Sequence, residues 1–385
     1  MANTLTGLIP DLQKAAQQVG RERIGLITST QLNTGSEAVA VGDTVTSFNA
    51  PQPVEESITP SMTIPEGTDQ VIEPDNFTVN QSTSVKIPWR GEEVRSLNNT
   101  SYGFTSVYGN QILQAMRKIS NTIEAYACGI AYKGAGAAFG TPGTNPFATN
   151  FDSVAEVRQR LADRGAPVED GFVSLVIGGL AGTKLRNQAQ LQKANEAGGD
   201  DMLRRGTLLD LQGLMLKESA GIQTHTAGTG ALYDSDLVAG YDIGDKTIHV
   251  DTGTGTLLVG DAITFSSDTT TKYVVGTGFA GDGDSDLVLN SGLLGAVADN
   301  EDMAISSAYT ANIALHFNAM EIVVRPYAKP QGGDAAVDEL FVTDPVTGIT
   351  YMISDYRGYK KAMFEIAVVY DAKVWNSDAV CILQG

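Results

Sequence analysis

The sequence predicts an α+β fold that carries a separate all-β block. Three observations point there. One amphipathic helix runs far longer than a globular helix usually does. Strand-like segments punctuated by Pro and Gly flank it on both sides. Between residues 231 and 308, short strands follow one another with no helical pattern. A chain of 385 residues can bury a substantial core and divide into two or three domains of about 100–200 residues each.

Residues 1–50 read as an N-terminal arm. Leu8, Ile9, Leu12, Ala15, Ala16 and Val19 recur at helical spacing, Pro10-Asp11 suits a first turn, and Gly20 closes the stretch. Residues 51–100 read as an acidic hairpin with its flanks. Ser57–Ile64, Asn76–Val79 and Ser82–Trp89 alternate apolar and polar residues around Pro60, Pro65, Gly67 and Pro74, so Val54–Trp89 is expected to form two long strands and a Pro/Gly/acid-rich tip. Its charges are segregated: Glu55, Glu56, Glu66, Asp69, Glu73 and Asp75 precede Lys86, Arg90 and Arg95. A monomer has no evident use for such an arrangement, whereas a hairpin reaching over a second copy sets acid against base.

Residues 101–150 hold the long helix. Ile112, Met116, Ile119, Ile123, Ala127 and Ile130 advance in steps of three and four, with Arg117, Lys118, Glu124 and the intervening Ser and Asn assigned to the opposite face. Starting near Ser106 it spans about 25 residues, roughly 37 Å, before Lys133-Gly134-Ala135-Gly136 ends it. Residues 151–228 look α/β, with a helix over Val154–Arg164 capped by Asp152-Ser153, a buried strand Phe172–Ile177, a helix Thr183–Ala194 and a polar, mobile loop near 195–206. Residues 229–308 form the β block, a small barrel or sandwich set into the main fold. Its strands are expected at Thr247–Val250, Thr256–Val259, Ala262–Phe265, Lys272–Val275 and Asp286–Leu289. In residues 309–385 the α/β texture returns and closes with strands Met363–Tyr370 and Ala379–Leu383.

Charge and composition narrow the function. A net charge of −19 argues against gripping nucleic acid over a large surface, because such binders neutralise phosphates with basic side chains. It does not argue against enclosing DNA. Only 18 % of residues are charged against 42 % hydrophobic, which suits a chain that hides surface in permanent contacts with copies of itself. The only two cysteines, Cys128 and Cys381, sit in apolar sequence and are expected to be buried free thiols in a reducing compartment. Neither a signal peptide nor a membrane-spanning run is apparent, so synthesis in a cytoplasm and no membrane contact are expected.

Catalytic and metal motifs fail on inspection. The three histidines are His225 in a Thr/Gly turn, His249 ending a strand and His316; none has a His or Cys at ligand spacing, and structural or surface roles are expected. Gly178–Lys184 follows a strand like a phosphate loop, but Gly182-Thr183-Lys184 reverses the required Gly-Lys-Ser/Thr order, leaving a glycine-rich turn. Asp282–Asp286 mimics the start of a calcium loop, yet Leu287 and Leu293 stand where Gly and a bidentate Glu are needed. No enzyme, cofactor or metal site is expected.

The order of parts resembles a tailed-bacteriophage major capsid protein, and within that group the short-tailed-phage coat proteins with an inserted I-domain. The likeness rests on Arg117–Glu124 in the long helix, the Gly/Thr/Pro run Gly140–Asn145, the stretch Asp210–Ser219 and the closing strand Ile366–Tyr370. It implies that Val54–Trp89 is an E-loop, that the long helix is the spine of a P-domain, and that the α/β block and tail build an A-domain and the rest of the P-domain. It also implies that 195–206 is a mobile F-loop. The implied function is a shell subunit forming hexamers and pentamers of an icosahedral head around double-stranded DNA. The implied partners are copies of itself, a scaffolding protein, a portal and, in some relatives, a cement or decoration protein. Inter-subunit contacts are then expected between Glu55, Glu56, Glu66, Asp69, Glu73 and Asp75 and a neighbour's Arg90, Arg95, Arg117 or Lys118. The rivals are an encapsulin-like compartment, a carbohydrate-binding or adhesive surface protein suggested by the Thr/Gly-rich strands, and a hydrolase using paired carboxylates.

Overall fold

The computed structural model describes residues 22–35, 37–47, 55, 57–64, 75–99, 104–192, 210–281 and 283–385. The expected arm helix over Leu8–Val19 and the loop Asn195–Arg205 lie outside those residues.

Along the chain, the first strands are β1 (Gln31–Thr34), β2 (Thr44–Ser47), β3 (Asp75–Thr78) and β4 (Gln81–Arg90). A short helix, Gly91–Asn98, and the spine helix, Phe104–Lys133, follow. The spine helix has 30 residues, about 45 Å long, exceeding the sequence expectation at its N-terminal end. Next come β5 (Ala137–Phe139), the helix Asp152–Asp163, β6 (Val173–Ile177), the helices Gly179–Arg186 and Ala189–Gln192, β7 (Met215–Glu218) and β8 (Thr224–His225). The barrel strands are β9 (Tyr233–Ser235), β10 (Thr247–Asp251), β11 (Ala262–Phe265), β12 (Asp268–Thr277), β13 (Ser285–Leu289) and β14 (Asp302–Ile305). The chain closes with β15 (Tyr309–His316), β16 (Met320–Arg325), β17 (Ala336–Thr343), β18 (Thr350–Gly358), β19 (Lys361–Val374) and β20 (Val380–Gln384).

The spine helix organises the body. Ile112, Met116, Ile119, Ile123 and Ala127 are all buried, and the helix packs on β19 and β15. One sheet is six-stranded: β1, β16, β19, β18 and β17 in order, with β4 also on β19. The second runs from the barrel through β12, β5, β20, β15 and β6 to β7.

The barrel strands close on themselves. β11 pairs with β14, β14 with β9, β9 with β10, β10 with β13, β13 with β12, and β12 returns to β11, every pair antiparallel. Closure removes free edges. The interior is a hydrophobic core of its own, including Tyr233, Ile248, Val250, Phe265, Tyr273, Leu287 and Met303. The strands leading into and out of this ring, β8 and β15, pair with each other at His225–Tyr309 and Thr224–Thr310.

The structure departs from the sequence reading in several places. Val54–Trp89 is not one hairpin. Ser57–Ile64 has no strand, β3 pairs with β2 inside the supposed arm, and all ten residues of β4 pair with β19. Period-2 patterning finds a strand but cannot say which distant strand completes it. Glu124 and Ser120 do not face solvent; both are buried. Asp152 and Ser153 lie inside their helix, whose N-cap is Phe151 with no side-chain cap; the Ser153 hydroxyl instead donates to the Pro146 carbonyl at 2.8 Å. The expected helix Thr183–Ala194 is two short helices, and the first begins at Gly179, so the glycine-rich turn is itself helical. Thr256–Val259 makes no strand. The return segment contains strands and single 3-10 turns only, so α/β was the wrong texture for it.

Candidate assembly surfaces

β2 and β3 leave the body side by side, and residues 48–74 join their far ends. Their root is firmly seated. Phe77 and Val79 are buried with Val323 and Val369, and the Phe77 ring meets Trp375 edge-on at 5.7 Å. The Asn80 N–H donates to Asp371 Oδ2 at 2.8 Å, while Asp371 Oδ1 accepts from Tyr126 of the spine helix at 2.9 Å. Burial and that carboxylate raise the Tyr126 phenol, which therefore stays protonated as the donor. Beyond this root, Ile58, Met62 and Ile64 stand 98 %, 106 % and 93 % exposed, and Glu55 is exposed beside them. Three such apolar side chains in so short a stretch are costly to hydrate unless another surface covers them. Glu56, Glu66, Asp69, Glu73 and the Asp75 side chain lie outside the described residues. No Lys or Arg occurs between Arg23 and Lys86, so the whole excursion carries one sign of charge.

The basic candidates divide among three places. Arg90 ends β4 and Arg95 lies on the short helix Gly91–Asn98; both line one cleft of about 890 Å3. Arg357 near the end of β18, Lys360 in the two-residue turn and Lys361 at the start of β19 line it too, with Trp89 and Phe364 as apolar wall. Asp355 lies in this cleft, 4 % exposed; its Oδ2 accepts from Arg357 Nε at 3.1 Å, and its Oδ1 has no hydrogen-bond partner. At the turn, Lys360 sits 5.2 Å from the ring centre of Tyr359, which is 90 % exposed. Arg117 is elsewhere, paired with Glu22 of its own chain at 3.3 Å. Lys118 lines a separate groove between β4 and the spine helix. Lys86 faces Glu365 at 3.8 Å.

Sequence reasoning missed Arg357, Lys360 and Lys361. The signal was available: a basic cluster at a strand–turn–strand junction, in a chain otherwise strongly acidic.

The histidines are each engaged by an aspartate. His225 lies within β8, not a turn, and its Nε2 meets Asp261 Oδ1 at 2.8 Å in a buried pair between Tyr132 and Tyr309. Asp261 also accepts from the Gly228 and Leu258 N–H groups, and the Tyr309 hydroxyl donates to the Gly260 carbonyl. This cluster fixes the neck of the barrel. His249 lies inside β10 instead of ending it, and pairs with Asp284 and, at 2.7 Å, with Asp286. Two carboxylates of the calcium-like loop are thereby occupied. His316 Nε2 meets Asp170 Oδ2 at 2.7 Å, while its Nδ1 accepts from the Asn318 N–H. Cys128 and Cys381 are free and buried; burial pushes the Cys381 thiol up to about 12 and Cys128 in the same direction. Among the described residues no group of three or more His, Cys, Asp and Glu could hold a metal ion, and no helix is long and apolar enough to cross a membrane.

No protein-family profile and no curated protein matches the sequence. Solved structures do match. A capsid chain of the cyanophage P-SCSP1u is 10 % identical, with 94 % of this chain and 88 % of that one covered at a TM-score of 0.48. A chain of the bacteriophage PhiM1 mature capsid is 10 % identical, with 92 % and 85 % covered at 0.43. The SrpI encapsulin of Synechococcus elongatus is 8 % identical, with 93 % and 86 % covered at 0.38. The solved structures to which this chain is similar are, for the most part, phage capsid proteins, with an encapsulin and a virus-like particle among them.

Proposed function

We propose that this chain is the coat subunit of a phage head, assembling with copies of itself into hexamers and pentamers of an icosahedral shell around double-stranded DNA. One observation carries the reading: Ile58, Met62 and Ile64 stand fully exposed between the seated strands β2 and β3, in a stretch whose sequence is acidic throughout, and the same body holds a basic, apolar-walled cleft. Such a projection and cleft complement each other between copies and are of little use to a monomer. Each contact is modest in water, where exposed ion pairs contribute about 0–1 kcal/mol. Repeated around a closed shell, modest contacts allow misplaced subunits to leave and make the finished particle persist. The acidic set is Glu55, Glu56, Glu66, Asp69, Glu73 and Asp75. Its partners are Arg90 and Arg95 of a neighbour, joined by Arg357, Lys360 and Lys361; Arg117 already has an intrachain partner, and Lys118 belongs to the groove.

On this reading residues 229–308 are an inserted domain, which the pairing of β8 with β15 supports. The chain acts as a structural protein without catalytic work. A scaffolding protein and a portal are the further partners, a cement protein is an optional one, and assembly takes place in the host cytoplasm.

The test is electron microscopy of the assembled protein beside the charge-reversed variant E66K/D69K. The variant is expected to give no closed shells, and adding R95E/K361E to the same chain is expected to recover them. Normal shells from E66K/D69K alone would sink the pairing. Wild-type protein that stays monomeric with a scaffolding partner supplied would sink the shell.

A further inference from the structure

The basic cleft repels itself as it stands. Arg90 and Lys361 are direct partners in the antiparallel pairing of β4 with β19. Two like charges thus face each other across the ladder, which is destabilising unless an anion bridges them. Lys360 is the adjoining turn residue, Arg357 sits opposite Ala362 where β18 pairs with β19, and Arg95 lies on the short helix that follows β4. All five line the cleft, against the carboxylates of Glu92 and Asp355. Among the described residues, Arg357 with Asp355 is the one ion pair these cations make. We propose that the cleft is a nucleotide site, with the phosphates on its arginines and lysines and the base on its aromatic wall. The inference goes beyond the shell reading and does not rest on it. A bound nucleotide and a neighbour's acidic side chains would exclude each other, so binding belongs to the free subunit.

Three features select a nucleotide from among anions. The first is a guanidinium already aimed. Asp355 is buried and holds Arg357 by its Nε at 3.1 Å, which leaves the two terminal nitrogens to fork onto a phosphate. Holding that side chain in place beforehand lowers the ordering cost of binding.

The second is aromatic surface beside the cations. The Trp89 indole N–H donates to Gln111 at 3.1 Å, and Phe364 packs on Tyr108 with ring centres 4.6 Å apart, so both walls are fixed. Tyr359 stands almost wholly exposed at the rim, with Lys360 over one face of its ring and the other face open. A base stacked on such a ring gains about 1–3 kcal/mol, whichever base it is. An inorganic oxyanion has no use for these rings.

The third is size and hydrogen-bond polarity. At about 890 Å3 the cleft falls within the range of roughly 300–1,000 Å3 typical of small-ligand sites. Asp355 Oδ1 has no hydrogen-bond partner, and Glu92 is exposed beside it in the same cleft. Ribose hydroxyls and base amino groups supply the donors these acceptors lack, whereas ionised phosphate oxygens only accept. The net charge of −19 holds a long polyanion off, so the ligand is compact.

Isothermal titration of the unassembled full chain with ATP, tripolyphosphate, adenosine and a thymidine oligonucleotide tests this. ATP is expected to bind about tenfold more tightly than tripolyphosphate, the effect of one stacked base, and adenosine to bind most weakly. R95E/K361E should weaken ATP by about tenfold or more. Y359A should bring ATP down to the affinity of tripolyphosphate and leave tripolyphosphate unchanged. All three side chains are exposed, so neither variant should unfold earlier than the parent. No binding of ATP at millimolar concentration, or equal binding to R95E/K361E, would overturn the proposal. Tripolyphosphate as tight as ATP would mean an anion site without base recognition and overturn the nucleotide assignment. An oligonucleotide binding more tightly than ATP would do the same in favour of nucleic acid. None of these outcomes touches the shell reading, which stands or falls on assembly.

Discussion

In the body, key pairings join strands from opposite ends of the chain, whereas in the barrel every pairing stays within one continuous segment. β4 pairs with β19 from Gln81–Tyr370 to Arg90–Lys361, and β1 lies parallel to β16. The barrel instead closes its whole ring within Tyr233–Ile305. Distant pairing costs loop-closure entropy before any contact repays it, so the body needs strong points that fix its far-apart pieces, while the barrel draws on turns and local packing. Electrostatics sharpen the difference. Residues 229–308 carry thirteen carboxylates against Lys246 and Lys272, so eleven of the nineteen net negative charges sit in that one segment. The barrel is nevertheless tied to the body. β12 pairs with β5, Lys272 donates to the Gly140 carbonyl at 2.7 Å, and Arg164 packs 5.4 Å from the Tyr273 ring centre while contacting Ser291 and Asp378.

The largest expected effect lies at the body's strongest point. Glu124 gathers three backbone N–H groups of residues 25–27 and the Ser219 hydroxyl, the last at 2.6 Å. E124A leaves four donors with no acceptor in a buried site, where each orphan costs about 1–3 kcal/mol; partial relaxation brings the expected loss to about 4 kcal/mol. Trp89 and Trp375 are both in the body and the barrel has no tryptophan, so fluorescence-monitored urea unfolding reads this change directly. A loss under about 1 kcal/mol would show that residues 22–30 are dispensable packing and not a clamp.

That clamp also marks how far the sequence could be read. Features whose cause is local were legible. The spine helix shows in the three-and-four spacing of Ile112 through Ile130, and four of the five barrel strands that the sequence suggests are present. The burial of Cys128 and Cys381 followed from their apolar neighbours. What stayed hidden depends on a partner far along the chain. Glu124 reads as a solvent-facing residue until residues 25–27 arrive with unsatisfied N–H groups. Ser82–Trp89 reads as half of a local hairpin until β19 supplies its partner. The cleft is assembled from Arg90 and Arg95 on one side and Arg357, Lys360 and Lys361 on the other, so no window of sequence contains it.

A smaller effect separates the two cores. Phe265 is buried in the barrel interior against Tyr273, with ring centres 6.0 Å apart. F265A should cost about 3 kcal/mol, the lower end of the usual range for emptying a buried aromatic site. If the barrel is a separable cooperative unit, hydrogen exchange rises across residues 233–305 while the tryptophan transition hardly moves. One shared transition shifted to lower urea would instead mean that the β12–β5 seam, Lys272 and Arg164 make body and barrel a single cooperative unit.

The smallest effect comes from the barrel's surface. Asp286, by hydrogen bond and charge, and Asp284 raise His249 above its ordinary value of 6.5. A histidine whose pKa is raised by folding stabilises the fold while it is protonated in both states or in the folded state alone. Its contribution is therefore complete below about pH 6.5 and fades as pH climbs through the raised folded value. The group is well solvated, so the contribution is at most a few tenths of a kcal/mol. H249N should consequently be less stable than the parent at pH 6 and nearly equal to it at pH 9, read as exchange rates along β10 and β13. In the body, the tryptophan transition should show no such pH-dependent difference between the two proteins, since His249 touches only barrel residues among those described. A gap that widened with rising pH would reverse the sign and mean that neutral His249, not its cation, holds the Asp284–Asp286 loop against β10.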